Sequence, residues 1–286
     1  MADLVIRWQM RRVQARDGLD NLPRLRAMLD DMPAMLPPGV RVRPDRLGGI
    51  AGEWAESGYG ARTTLLYLHG GGFVAGSPRS HRCITGALAR RGFSVFAPDY
   101  RLAPEHSFPA GLDDAVAAWR ALRAASPGRL VAAGDSAGGT LALSLLLTLR
   151  DAGEPMPAAA ALFSPATDLA GTGASLHSNR YRDAMLGRAP LAALAAAYLA
   201  GADPRTPLAS PLHADLTGLP PLLIHVGERE VLRDDATRLA ERAEAAGVPV
   251  TLLVWPVVPH VWQLADRTLP EARRSLDAAA AFLHGE

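Results

Sequence analysis

Read as a string of apolar and polar positions, the chain falls into two unlike parts. From Leu47 onward, short runs that are largely apolar alternate with longer stretches whose apolar residues recur every three to four positions. The first kind predicts buried strands and the second amphipathic helices. Strands are predicted at 49–56 (GIAGEWAE), 63–69 (TTLLYLH), 93–99, 129–135, 158–165, 220–227 and 248–256, and helices at 79–91, 108–125, 137–153, 234–247 and 271–285. Residues from about 171 to 201 read as irregular and then helical. Before residue 47 the pattern differs. Residues 3–15 suit a helix with Leu4, Trp8 and Arg11 or Arg12 on adjoining turns, and 21–39 suit a helix broken by Pro33, Pro37 and Pro38. No strand is predicted there, so residues 1–46 read as an appended helical segment and 47–286 as the main domain.

Strands apolar on both faces, each followed by a helix, predict an α/β fold with a mostly parallel sheet covered on both sides. Ligands of such sheets bind beyond the carboxyl ends of the strands. Composition narrows the function. The 286 residues are 49% hydrophobic, enough for a large core, and 30 basic against 29 acidic residues leave a net charge of +1. So even a balance gives no electrostatic case for nucleic acid or an anionic membrane as partner. Every basic residue is arginine; the absence of lysine excludes a P-loop lysine, a Schiff-base lysine and a lysine base. Cys83 is the only cysteine, so no internal disulfide is possible. The N-terminus lacks a long apolar stretch followed by a cleavage site, and the longest apolar runs are too short to span a bilayer. A cytoplasmic protein is expected.

Chemistry-bearing residues cluster at predicted strand ends. Gly134-Asp135-Ser136-Ala137-Gly138 is a G-x-S-x-G set between a strand and a helix, the context of a nucleophile elbow, in which a tight turn lifts the serine hydroxyl above the sheet. His69-Gly70-Gly71-Gly72-Phe73 follows the 63–69 strand. Two N–H groups of this glycine run with that of Ala137 suit an oxyanion hole, worth roughly 3 kcal/mol per donor. A rival reading takes Gly70-x-Gly72-x-x-Ala75, with Asp99 on the next strand, as a dinucleotide fingerprint. Ser77-Pro78 delays the helix beyond the glycines, which leaves no helix N-terminus for a pyrophosphate, and that reading has no use for the serine elbow.

A serine nucleophile needs a base and an orienting acid, and in α/β-hydrolases these follow it in the order acid, then histidine. Of the later histidines, His225 lies inside an apolar strand, His284 in the C-terminal tail, and His177 and His213 precede the strand expected to carry the acid. His260, in the loop after strand 248–256, holds the expected place. The acid is expected in GEREVLRDDA after strand 220–227. Asp234 and Asp235 suit the first turn of a helix, where carboxylates complement the dipole. The loop by itself leaves Glu228 and Glu230 open.

HGGGF at 69–73, YRLAPEHSFPA at 100–110, GDSAGG at 134–139, SPATDL at 164–169, ASPLHADLTGLPPLLIHVG at 209–227 and PHVW at 259–262 together resemble the bacterial hormone-sensitive-lipase-like esterases, from about Thr64 to Trp262. The resemblance implies an α/β-hydrolase fold with a helical cap built from residues 1–46 and an insertion at about 171–205. It implies Ser136, Glu230 and His260 as catalytic residues and Gly71, Gly72 and Ala137 as oxyanion donors. Glutamate at 230 departs from the family's commoner aspartate in G-x-x-D-x-L. Arg101, Glu105, His106 and Asp168 are implied to be structural. Phe73, Met185, Leu186 and Trp262 are expected as pocket walls. The implied activity is hydrolysis of short to medium acyl esters or lactones through an acyl-enzyme, with no cofactor and no metal. A homodimer through the 248–256 edge is expected as well.

Overall fold

The computed structural model describes residues 21–30, 36–58 and 60–286; the helix expected at 3–15 lies outside them. A helix α1 (Leu22–Asp30) precedes a sheet built from β1 (Val40–Leu47), β2 (Ile50–Ser57), β3 (Thr63–Leu68), β4 (Phe93–Pro98), β5 (Leu130–Asp135), β6 (Ala160–Phe163), β7 (Leu222–Gly227) and β8 (Val250–Trp255). The helices between and after the strands are α2 (Arg82–Arg90), α3 (Ala110–Ala125), α4 (Ala137–Asp151), α5 (Ser175–Ser178), α6 (Arg188–Leu199), α7 (Arg233–Ala245) and α8 (Pro270–His284).

The eight strands lie in the order β1-β2-β4-β3-β5-β6-β7-β8; β1, β2 and β4 pair antiparallel and every other neighbouring pair is parallel. Side chains alternate between two cores. Leu66, Leu68 and Ala132 join the core under α3, α4 and α7, while Leu65, Tyr67, Val131 and Ala133 join the one under α2 and α8. That is the sandwiching expected of strands apolar on both faces.

One expectation is corrected. Residues 40–47 are a strand, not part of a helical segment: Val40 pairs with Ser57 and Leu47 with Ile50, in full register with β2. The hairpin turns on Gly48 and Gly49, both at positive φ (59° and 82°), which fits the twist of two-residue hairpins. Pro44, which argues against a central strand, is tolerated because β1 is the sheet edge.

The topology also fixes where chemistry can occur. From β3 the chain crosses to β4 on one side, and then returns to β5 on the other. The loops leaving β3 and β5 therefore diverge, and the crevice between them opens at the carboxyl end of the sheet. HGGG leaves β3 and Ser136 follows β5. No described helix is long and apolar enough to cross a membrane.

Candidate active site

Ser136 stands between β5 and α4 with φ 51° and ψ −120°, a strained conformation for an L-residue. The strain is held in place from several sides: its N–H donates to Phe163 O at 2.8 Å, and its carbonyl accepts from Thr140 N at 3.2 Å. The flanking glycine at 138 is a steric requirement, since a Cβ there would run into the carbonyl oxygens of Leu68 and His69. The hydroxyl thus projects at the N-terminus of α4, where the helix dipole favours negative charge.

His260 lies in the loop after β8, with Nε2 3.0 Å from Ser136 Oγ and Nδ1 2.7 Å from Glu230 Oε2. Because an ionised carboxylate only accepts, Nδ1 must carry the proton and Nε2 is left free to accept from the serine. Burial works against the imidazolium. The hydrogen bond and charge of Glu230, with Asp183 and Asp135 adding to it, outweigh burial and hold the His260 pKa above the ordinary imidazole value. Glu230 is itself buried, 1% exposed, and its Oε1 accepts from Gly227 N at 2.6 Å and Ser164 Oγ at 2.8 Å.

The glycine loop curls beside the serine. Gly71 sits at φ 124°, and a Cβ on it would strike Ala75 O, so no other residue fits this turn. Val74 N and Ala75 N close the turn onto Gly71 O. Gly71, Gly72 and Ala137 all border one cavity with Ser136 and His260, and among the described residues the N–H groups of Gly71 and Gly72 meet no protein acceptor. Behind the loop, Asp135 accepts from Tyr67 Oη at 2.6 Å and from Gly70 N at 3.1 Å, with His81 Nε2 3.4 Å from its other oxygen. Burial opposes its ionisation, but His81 and Tyr67 keep its pKa below the ordinary carboxylate value. His69 stacks on Tyr100 and is pushed down to about 3 by burial and by neighbouring His81, so it stays neutral. Helix α2 begins only at Arg82, which leaves no helix N-terminus at the glycines for a pyrophosphate.

The cavity measures about 420 Å³ and is mostly apolar. Phe73, Met185 and Leu186 line it as expected, whereas Trp262 does not. The Trp262 indole is turned to the other side of its loop, packed with Trp255, Val258 and Ala272, and donates to Glu271 O at 3.3 Å; Val261 and Leu264 face the cavity instead. Sequence reasoning missed Leu22, Leu25 and Leu29 of α1, one helical stripe along the cavity, although their spacing was the available signal. Arg26 on the same helix anchors α1 by donating to Val74 O at 2.7 Å and pairing with Glu105.

The remaining polar groups of the motifs hold structure together. Arg101 pairs with Asp114, and Asp168 accepts from His213 and Arg238. His225 is fully buried and pushed down to about 3 by burial. Asp234 and Asp235 do fall in the first turn of α7, but each also makes a specific bond: Asp234 Oδ2 accepts from Ser175 N and Asp235 Oδ2 from Asp168 N.

Fold and topology are those of an α/β-hydrolase, and residues 65–264 match the family described by the alpha/beta hydrolase fold. An acetyl-hydrolase from Streptomyces hygroscopicus is 51% identical over 251 residues, 87% of this chain and 83% of that protein. The crystal structure of an esterase from the bacterial hormone-sensitive lipase family superposes with a TM-score of 0.91 at 41% identity, covering 100% of this chain and 98% of that one. Esterase EstE5, in crystals soaked with ethyl alcohol, gives a TM-score of 0.93 at 38% identity over 99% of this chain and 97% of its own. The chain belongs to the bacterial hormone-sensitive-lipase-like esterases of the α/β-hydrolase superfamily.

Proposed function

We propose that this carboxylic ester hydrolase cleaves short to medium acyl esters or lactones with Ser136 as nucleophile, His260 as base and Glu230 as orienting acid. The observation that carries the reading is the continuous chain from Ser136 Oγ through His260 to Glu230, at 3.0 and 2.7 Å. His260 Nε2 takes the serine proton as Oγ attacks the ester carbonyl. Glu230 holds the tautomer and stabilises the imidazolium. The N–H groups of Gly71, Gly72 and Ala137 take the developing oxyanion. The alcohol leaves with the proton from His260, and water then releases the acid from the acyl-serine by the same steps.

The substrate class follows from the walls. An apolar cavity of about 420 Å³ suits a small neutral ester, and among the described residues no arginine lines it to receive a charged acid. Helix α1 and the insertion at about 171–205 act as a cap over it, since Leu22, Leu25, Leu29, Met185, Leu186 and Leu194 come from those segments. The name of the Streptomyces hygroscopicus relative points to acetyl groups among the acyl groups accepted. The enzyme is read as a homodimer through β8, whose outer edge has no neighbouring strand among the described residues and where Val254 and Val257 are exposed. It is read as cytoplasmic, its single cysteine being free and buried.

The test is Ser136→Ala with p-nitrophenyl butyrate, alongside mass-spectrometric mapping of a fluorophosphonate adduct. Loss of turnover in a folded variant and labelling at Ser136 are expected. Wild-type turnover in the variant, or labelling at another residue, overturns the reading. Light scattering at micromolar concentration tests the dimer, which a monomeric mass would refute.

A further inference from the structure

The insertion after β6 is bonded directly to the loop that carries Glu230. Ser175 Oγ donates to Val231 O at 2.6 Å, and Asn179 Nδ2 donates to the carbonyls of Glu228 at 3.0 Å and Glu230 at 2.8 Å. Asp183 Oδ2 accepts the N–H of Val231 at 2.8 Å. Its other oxygen accepts the N–H groups of Met185 at 2.8 Å and Leu186 at 2.9 Å, and the side chains of these two residues line the cavity. Asp183 is 5% exposed, and among the described residues its oxygens meet main-chain N–H groups rather than a cation. Main-chain N–H groups on both oxygens fix the Asp183 carboxyl in place. Asp183 favours the His260 imidazolium from the insertion, as Glu230 does from the loop after β7 and Asp135 from the end of β5.

We propose that Asp183 is a positioning residue for ester hydrolysis: through Val231 it fixes where Glu230 stands against His260, and through Met185 and Leu186 it ties that placement to the wall of the cavity. Asn179 supports the same loop from the next turn of the insertion. The proposal rests on Ser136, His260 and Glu230 acting as read above. A substrate that presses on Met185 or Leu186 then also acts on the acid, so that an ill-fitting acyl or alcohol group loses turnover as well as binding.

The experiment compares the full-length protein with Asp183→Asn, Asp183→Glu and Asn179→Ala, measuring kcat, KM and the pH profile of kcat/KM for p-nitrophenyl butyrate. Rates are counted per active site titrated with a fluorophosphonate, which removes any unfolded fraction. Asp183→Asn keeps the size but loses the charge and turns an amide nitrogen toward a main-chain N–H. Its kcat is expected to fall by about tenfold or more, with the acid limb moved to lower pH because one of the charges favouring the imidazolium is gone. Asp183→Glu keeps the charge, so its acid limb should stay while kcat falls. Asn179→Ala is a neutral change and should lower kcat with the acid limb unmoved. A purely structural Asp183 would lower the melting temperature but leave both the rate per titrated site and the acid limb unchanged. Asp183→Asn within about twofold of wild type in kcat, with an unmoved acid limb, overturns the proposal. If Asp183→Asn does not fold, Asn179→Ala decides: a lowered kcat per titrated site upholds it and an unchanged one overturns it. Failure of the serine reading would show separately, as turnover by Ser136→Ala.

Discussion

Ser164 donates its hydroxyl to Oε1 of Glu230 at 2.8 Å, and it does so from a left-handed backbone at φ 47°. That geometry places β6, through the residue after its last one, in contact with the acid that follows β7. With Gly227 N on the same oxygen, the carboxylate cannot rotate freely, and Oε2 is left to His260. A glutamate has one more rotatable bond than an aspartate, so these two donors supply restraint that the longer side chain lacks.

Ser164→Ala should therefore lower kcat on p-nitrophenyl butyrate by about three- to thirtyfold, with KM little changed, because the loss falls on the stabilised imidazolium and not on ground-state binding. Steady-state kinetics at the pH optimum check this. A kcat equal to wild type would mean that Gly227 N alone fixes the acid.

The pH dependence has a definite sign. In the proposed mechanism His260 must be neutral to accept the serine proton, and its pKa is held above the ordinary imidazole value chiefly by Glu230, against the opposing effect of burial. Activity should fall as the pH drops through that raised value, so the acid limb of kcat/KM should lie above about 6.5. A limb well below that value would show that burial, not Glu230, dominates at His260.

Most of this architecture was legible in the sequence because it rests on local, periodic signals. Buried parallel strands are apolar throughout, and the elbow and the glycine run are constrained by backbone geometry that few residues satisfy. The missed pieces lack such signals. In β1, arginines at 41, 43 and 46 and a proline at 44 hide a strand that an exposed edge allows. Trp262 lies two residues after the histidine, but Val261 between them, at φ 50°, turns the chain and sends the indole away from the cavity. Asn179 and Asp183 act through main-chain atoms of a loop far along the chain, and such bonds leave no periodicity or motif.

Asp235 offers a test on stability. It is 2% exposed, and burial, opposed by the hydrogen bond from Asp168 N and reinforced by the Asp168 charge, raises its pKa to about 8. A carboxyl raised in the folded state contributes stability that is fully present below its unfolded value near 3.8 and is lost as pH rises through about 8. Asp235→Asn removes that titration while keeping an acceptor for Asp168 N. Its melting temperature relative to wild type should rise steadily between pH 4 and about 8. A pH-independent difference would mean that Asp235 is not held neutral.

The cavity wall should set acyl length. Leu194 reaches over Gly72 from α6, and both border the space around Ser136. Leu194→Ala opens that space and should shift the preference on p-nitrophenyl esters toward longer acyl chains, by about two to four carbons given roughly one methylene per removed carbon atom. A chain-length series of kcat/KM values checks the shift; an unchanged profile would place the acyl group elsewhere in the cavity.

The acid assignment yields a ranking of three variants. Glu230→Gln keeps the shape but loses the charge opposite His260, and the neutral amide can present a donor to Nδ1 and favour the wrong tautomer. Its kcat should fall by about a hundredfold to ten-thousandfold, with a smaller change in KM. Glu228 is bonded through its main chain, with N on Trp255 O at 2.7 Å and its carbonyl accepting from Asn179; its side chain is only half-buried, so Glu228→Gln should cost far less. Asp234 sits in the first turn of α7 and accepts from Ser175 N at 2.8 Å. Asp234→Asn loses the favourable interaction with the helix dipole and weakens that bond, which should reduce stability by about 1 kcal/mol and leave kcat within about threefold of wild type. Thermal melts and kinetics on the same three preparations separate these effects. If Glu228→Gln or Asp234→Asn proved the crippling change while Glu230→Gln remained active, Glu230 would not be the acid, and the Ser136–His260 pair would need another orienting group within reach of Nδ1.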